Sequence, residues 1–191
     1  MTTPVTTQTR PEALITALIP ASTARDIGLV VGGSVVIALL AQVQIPLQPV
    51  PITGQTLGVF LVALGLGLRL GGPAVGLYLL EGAVGLPVLA GFTGGIAKFM
   101  GTTGGFLIGF LFAALLLGWL ADRGWTKNVL LVAAAMLLGT ILIYIPGLLW
   151  LSQFTGAKTL EFGLFPFIPG DIAKAVLAAL LVPGAWQFTK R

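Results

Sequence analysis

A chain of 191 residues and 19.7 kDa, 57% hydrophobic and only 8% charged, with a mean hydropathy of +1.04, cannot cover a soluble surface and is an integral membrane protein. The absence of cysteine and histidine removes disulfides, thiolate and imidazole metal sites, a cysteine nucleophile and a histidine-based triad. No metal site and no cofactor is expected, and a net charge of +4, scattered along the chain, suits membrane flanks rather than a nucleic-acid surface.

The predicted fold is all-α: a bundle of six transmembrane helices, residues 27–191, preceded by a polar segment, residues 1–26, on the cytoplasmic side. That segment is rich in Thr and Pro and lacks the short charged start and prompt apolar stretch of a signal peptide. The first apolar run covers Ile27 to Ile45 and is broken by Pro46-Leu47-Gln48-Pro49-Val50-Pro51. The second covers Gln55 to Leu70 and ends at Gly71-Gly72-Pro73; the third runs from Ala74 to Ala90 with Glu81 midway. After a Gly- and Thr-rich stretch, Gly91 to Gly105, the fourth covers Phe106 to Ala121. Asp122-Arg123-Gly124 is a turn, the fifth run covers Asn128 to Leu151, and the sixth covers Gly170 to Phe188.

With six spans, Arg10, Arg25, Arg69, Arg123, Lys127, Lys190 and Arg191 share one side, against Lys98 and Lys158 on the other. The asymmetry puts both termini in the cytoplasm. In the first span, Ser34 and Ala38 are four apart on one face, suited either to packing inside the bundle or to a partner membrane protein.

Ionisable groups inside a membrane are costly and mark function. Glu81 shares a helix face with Tyr78 and can tie two helices together, touch a ligand or carry a proton. Asp171 falls in the first turn of the sixth span, where a carboxylate is favoured by free N–H groups, and Lys174 lies beside it one turn inward. Burying such a pair merely to stabilise a helix end is expensive, which favours a role in binding. The Gln- and Pro-rich loop Gln42 to Thr56 and the segment Gly91 to Lys98, with Phe92 and Lys98, fall on the same side, so polar groups converge on a pocket for a small polar-headed ligand. There is no G-x-x-x-x-G-K-[ST] phosphate loop, and no serine has a histidine base; neither ATP hydrolysis by that route nor an enzyme is expected.

Four segments then carry a resemblance. Pro49-Val50-Pro51-Ile52-Thr53-Gly54-Gln55-Thr56-Leu57-Gly58-Val59 resembles the signature after the first span of the BioY family, the biotin-binding S components of energy-coupling factor (ECF) vitamin transporters. Tyr78 to Val88, Gly101 to Phe110 and Pro169 to Lys174 match in order. One departure is Thr102, where the family usually has proline; the family's small-residue stripe on the first span would correspond to Ser34 and Ala38.

The resemblance implies capture and uptake of biotin across the cytoplasmic membrane of a prokaryote, without covalent chemistry. It also implies partnership with a transmembrane coupling protein and a cytoplasmic ATPase pair, and reorientation of the whole component in the bilayer. Asp171, Lys174, Lys98, Tyr78, Glu81, Gln55 and Phe92 are then the expected substrate-binding residues, and Ser34 and Ala38 the expected partner interface. Either lysine can meet the biotin carboxylate. The alternatives are an S component for another vitamin or a stand-alone ion-coupled carrier.

Overall fold

The computed structural model describes residues 13–16 and 22–188. Helix α1, Thr23–Ala41, starts four residues before the predicted run because Ser22 accepts the Arg25 N–H as its N-cap. It ends at Ala41, where a short antiparallel ribbon pairs β1, Gln44–Ile45, with β2, Ile52–Thr53. Helix α2, Gln55–Ala83, holds the second and third predicted spans. A five-residue helix, α3 at Ile96–Met100, leads to α4, Gly104–Asp122. Helix α5 is Val129–Thr155, with Asn128 accepting the Leu130 and Leu131 N–H groups at its start. A short α6, Thr159–Gly163, precedes α7, Ile168–Phe188.

Five helices among the described residues are long and apolar enough to cross a membrane, and one of them is doubled back. In α2, Gly67 takes φ 74° and ψ −177°, a conformation essentially confined to glycine. A Cβ on Gly71 would lie 2.9 Å from the Cα of Ala63, and Gln55 bonds Tyr78, so the two arms run side by side. The result is six membrane segments. The arms, residues 55–66 and 68–83, are about 18 and 24 Å long at 1.5 Å per residue. Short arms are tolerated here because they are largely surrounded by protein rather than lipid. Two contacts finish the turn. Asp122 Oδ2 accepts the Leu68 N–H at 3.1 Å, capping the second arm, and Gly65 O accepts the Ile15 N–H at 2.9 Å. Ala13 and Leu14 are buried in the same place, so this part of the N-terminal segment packs against the bundle.

The sequence breaks therefore moved in two places. Gly71-Gly72-Pro73 is helical; its glycines serve close approach, and the reversal falls on Gly67. The third span ends at Ala83, because Gly85 (φ 101°) and Pro87 turn the chain, so Glu81 sits in the last turn and not midway. Glycines also bring α4 against α5: a Cβ on Gly109 would lie 2.7 Å from Ile143 Cα, and one on Gly105 would overlap the Pro146 carbonyl. This tight seam, with α2 packed against α4 as well, forms the core of the bundle.

Candidate functional site

At the end of the bundle opposite Gly67 lies a cavity of about 560 Å³, a size suited to one small organic ligand. Its wall is made by the β1–β2 ribbon and its Pro-rich loop, the start of α2, the loop through α3, and the upper parts of α4, α5 and α7. Phe60, Phe106, Phe110, Ile143 and Phe167 give it an apolar body. The Pro-rich loop is fixed in place. It holds a cis Gln48–Pro49 bond, and its Pro49 carbonyl accepts the Thr102 hydroxyl at 2.8 Å. Trp150 Nε1 donates to Gly101 O at 2.9 Å and anchors the same segment to α5.

The polar wall is a connected cluster. Lys174 Nζ donates to Thr56 Oγ1 at 2.7 Å and lies 3.4 Å from Asp171 Oδ1. Asp171 Oδ2 accepts the Tyr144 hydroxyl at 2.5 Å, and the Tyr144 ring meets Phe106 edge-on at 6.2 Å. The Asp171 and Lys174 side chains keep only 19% and 14% of their exposure, so each charge depends on the other and on these hydroxyls. Asp171 uses one acceptor direction on each oxygen, and a carboxylate offers about four, so acceptor capacity remains for a ligand. The Thr56 hydroxyl, occupied as acceptor, still has its proton to donate. Acceptor and donor thus stand side by side.

Of the predicted site residues, Asp171, Lys174, Lys98 and Gln55 line the cavity. Gln55 is buried, its amide held by Tyr78 and Thr53. Tyr78, Glu81 and Phe92 do not line it. Tyr78 is fully buried behind Gln55, accepting from its Nε2 and donating to Val88 O, and so supports a wall residue from behind. Glu81 accepts the Ser34 hydroxyl at 3.3 Å, tying α2 to α1. Phe92, at φ 54°, is 72% exposed; its N–H is held by Gln42 Oε1 while the side chain turns outward.

The residues expected at the partner face turn inward in part. Ser34 is completely buried against α2, and Ala38 is half-buried against the core. The outward face of α1 carries Gly28 and Gly32, with open space around both, among exposed Ile27, Val31, Val35, Val36 and Leu39. Sequence reading missed Tyr144 and left Thr56 in the loop. The signal was present, for the chain has only two tyrosines and both lie in otherwise apolar runs, where a phenol needs a partner.

Comparison with known proteins agrees with the motifs. The BioY family model matches residues 7–191. The biotin transporter BioY of Rhizobium etli is 42% identical over 156 residues, covering 77% of this chain and 83% of that one. The probable biotin transporter BioY of Pyrococcus horikoshii is 37% identical over 159 residues, covering 83% and 94%. The crystal structure of the S-component for biotin from an ECF-type ABC transporter superposes with a TM-score of 0.77 at 30% identity, covering 88% of this chain and 95% of that one. With a two-armed second helix, a closed polar cluster on α7 and these relatives, the chain belongs to the BioY family.

Proposed function

We propose that this protein captures biotin at the cavity as the substrate-specific component of an ECF transporter, and performs no covalent chemistry. The observation that carries this reading is the cluster of Asp171, Lys174, Thr56 and Tyr144 in the wall of a largely apolar cavity. Biotin is a flat cyclic urea on an apolar bicycle with a carboxylate tail. Its two N–H groups require an acceptor, which Asp171 supplies; its urea oxygen requires a donor, which the Thr56 hydroxyl and the Lys174 ammonium supply. The aromatic wall takes the ring system.

The placement of charge supports a cytoplasmic-membrane orientation. Arg25, Arg69, Arg123 and Lys127 flank the Gly67 end, while Lys98 and Lys158 lie at the cavity end, so the cavity opens outward. The energising partners, a membrane coupling protein and a cytoplasmic ATPase pair, have their best-suited contact on the Gly28 and Gly32 face of α1, where small residues permit close helix approach. Gly32→Leu is expected to abolish co-purification with the coupling protein while leaving biotin affinity intact; retained co-purification would move the interface elsewhere.

The direct test of the function is equilibrium binding to ligand-free protein purified in mild detergent. One-to-one, saturable biotin binding that neither thiamine nor riboflavin displaces is expected. Folded, ligand-free protein that ignores biotin would overturn the assignment.

A further inference from the structure

We infer that the connection between α2 and α3, residues 84–95, is a membrane-interface loop, seated among the lipids of the leaflet on the cavity side through Leu86 and Phe92. Composition is the first support. From Gly82 to Ala97 the chain carries no charged residue, and its one polar side chain, Thr93, turns its hydroxyl onto Ala90 O at 2.9 Å. Yet the segment is not buried: Val84, Leu86, Phe92 and Ile96 are all exposed. An exposed apolar patch of this kind marks a surface that is covered by something other than water. The patch continues the outward-facing apolar surface of two spans, for Leu39 near the end of α1 and Leu80 near the end of α2 are exposed as well. That continuity makes lipid the occupant.

The backbone is the second support. Irregular chain is tolerated at membrane level only where its polar groups find partners within the protein. Here the N–H groups of Leu86, Val88, Leu89, Thr93 and Gly95 all donate internally, and Pro87 has none to satisfy. Gln42, just beyond α1, completes the pattern: its Oε1 accepts the Phe92 N–H at 2.8 Å, and its Nε2 donates to Leu89 O at 3.2 Å. The same bonds set the depth of the loop. At 1.5 Å per residue, α1 climbs about 24 Å from Asp26 to Gln42, short of the roughly 30 Å hydrocarbon layer. With Arg25 and Asp26 at one boundary of that layer, Gln42 and the backbone it holds lie at the other, not in bulk water. Phe92 is held at φ 54°, a conformation that bulky residues rarely adopt, with its ring turned away from the protein. The opposite side of the loop faces the cavity through Leu89, Ala90 and Thr93. One wall of the cavity is therefore a segment with lipid behind it.

The chain has no cysteine, so Phe92→Cys and Leu86→Cys each give a single site for a nitroxide label. The labelled proteins are placed in vesicles of phosphatidylethanolamine and phosphatidylglycerol, and relaxation of the label is measured with oxygen, which concentrates in lipid, and with a water-soluble nickel chelate. Leu39→Cys supplies the lipid-facing reference, and Lys158→Cys, at an exposed charged position of the cavity end, the aqueous one. Both loop labels are expected to lose the nickel effect and gain the oxygen effect, shifting from the Lys158 behaviour to that of Leu39. Nickel access at Phe92 and Leu86 equal to that at Lys158 would overturn the inference. So would an immobilised label shielded from both reagents, which would mean that protein, a partner or a second copy, covers the loop. Both sites are exposed, and thermal melts that match wild type are expected for both variants, so that the labels report on the native loop.

Discussion

Asp171→Asn is expected to weaken biotin binding by about two orders of magnitude while leaving the purified protein folded. The carboxylate does two things that an amide cannot. It balances the Lys174 ammonium 3.4 Å away in a place with little water, and it accepts from Tyr144 while retaining charged acceptor capacity for a ligand N–H. A hydrogen bond to a charged group contributes about 1.5–3 kcal/mol, so losing the charge at two ligand donors accounts for the expected loss. Asparagine matches the shape and can still accept from Tyr144, so the fold has no cavity to collapse. Calorimetric titration with biotin, beside a thermal melt in the same detergent, separates the two effects. Unchanged affinity would remove Asp171 from the binding site.

The second large effect concerns the reversal in α2. Gly67→Val is expected to lower the melting temperature by roughly 5–15 °C. Valine at φ 74° and ψ −177° occupies a region that costs about 1–3 kcal/mol for a residue with a Cβ. That Cβ would also overlap the Asp122 carboxylate, displacing it from the Leu68 N–H and costing about another 1 kcal/mol in lost capping. Gly28→Ala is the control, because nothing lies within 4 Å of a Cβ there. A valine variant that melts with wild type would show that the hairpin can reverse without glycine.

Much of the fold was legible because a bilayer demands long apolar runs, and the chain writes them plainly between polar breaks. α4, α5 and α7 fall within a few residues of the runs read from sequence. The errors came where glycine carries two meanings. Gly71-Gly72-Pro73 has the composition of a turn, yet Gly71 is small so that Ala63 can pass; Gly67, unremarkable in Leu66-Gly67-Leu68, makes the turn. Side-chain direction was legible only where a motif fixed it. Asp171 and Lys174 were found through their spacing at a helix start. Ser34 and Ala38 were placed on one face correctly, but which way that face pointed depends on where α2 lies, and the sequence of α1 alone carries no such information. Glu81 was read as able to tie two helices together and Tyr78 as a ligand contact, but the sequence did not show the partners that hold them in the structure. Those partners, Gln55 and Ser34, are 23 and 47 residues away and come together only when α2 folds back.

The middle of the bundle, beneath the cavity, has a consequence for the membrane's electrical integrity. Val59, Ala63, Val75, Ala113, Leu117, Val132, Ala135 and Met136 are all buried there. Apart from Tyr78, the buried polar side chains among the described residues are Ser34, Gln55, Thr126 and Thr159, none of which carries charge or forms a file from one face to the other. An ion that enters the open end meets hydrocarbon, whose cost to a charge is several kcal/mol even when partly relieved by water. In this conformation the packed carbon beneath the cavity therefore acts as an insulator against the membrane potential.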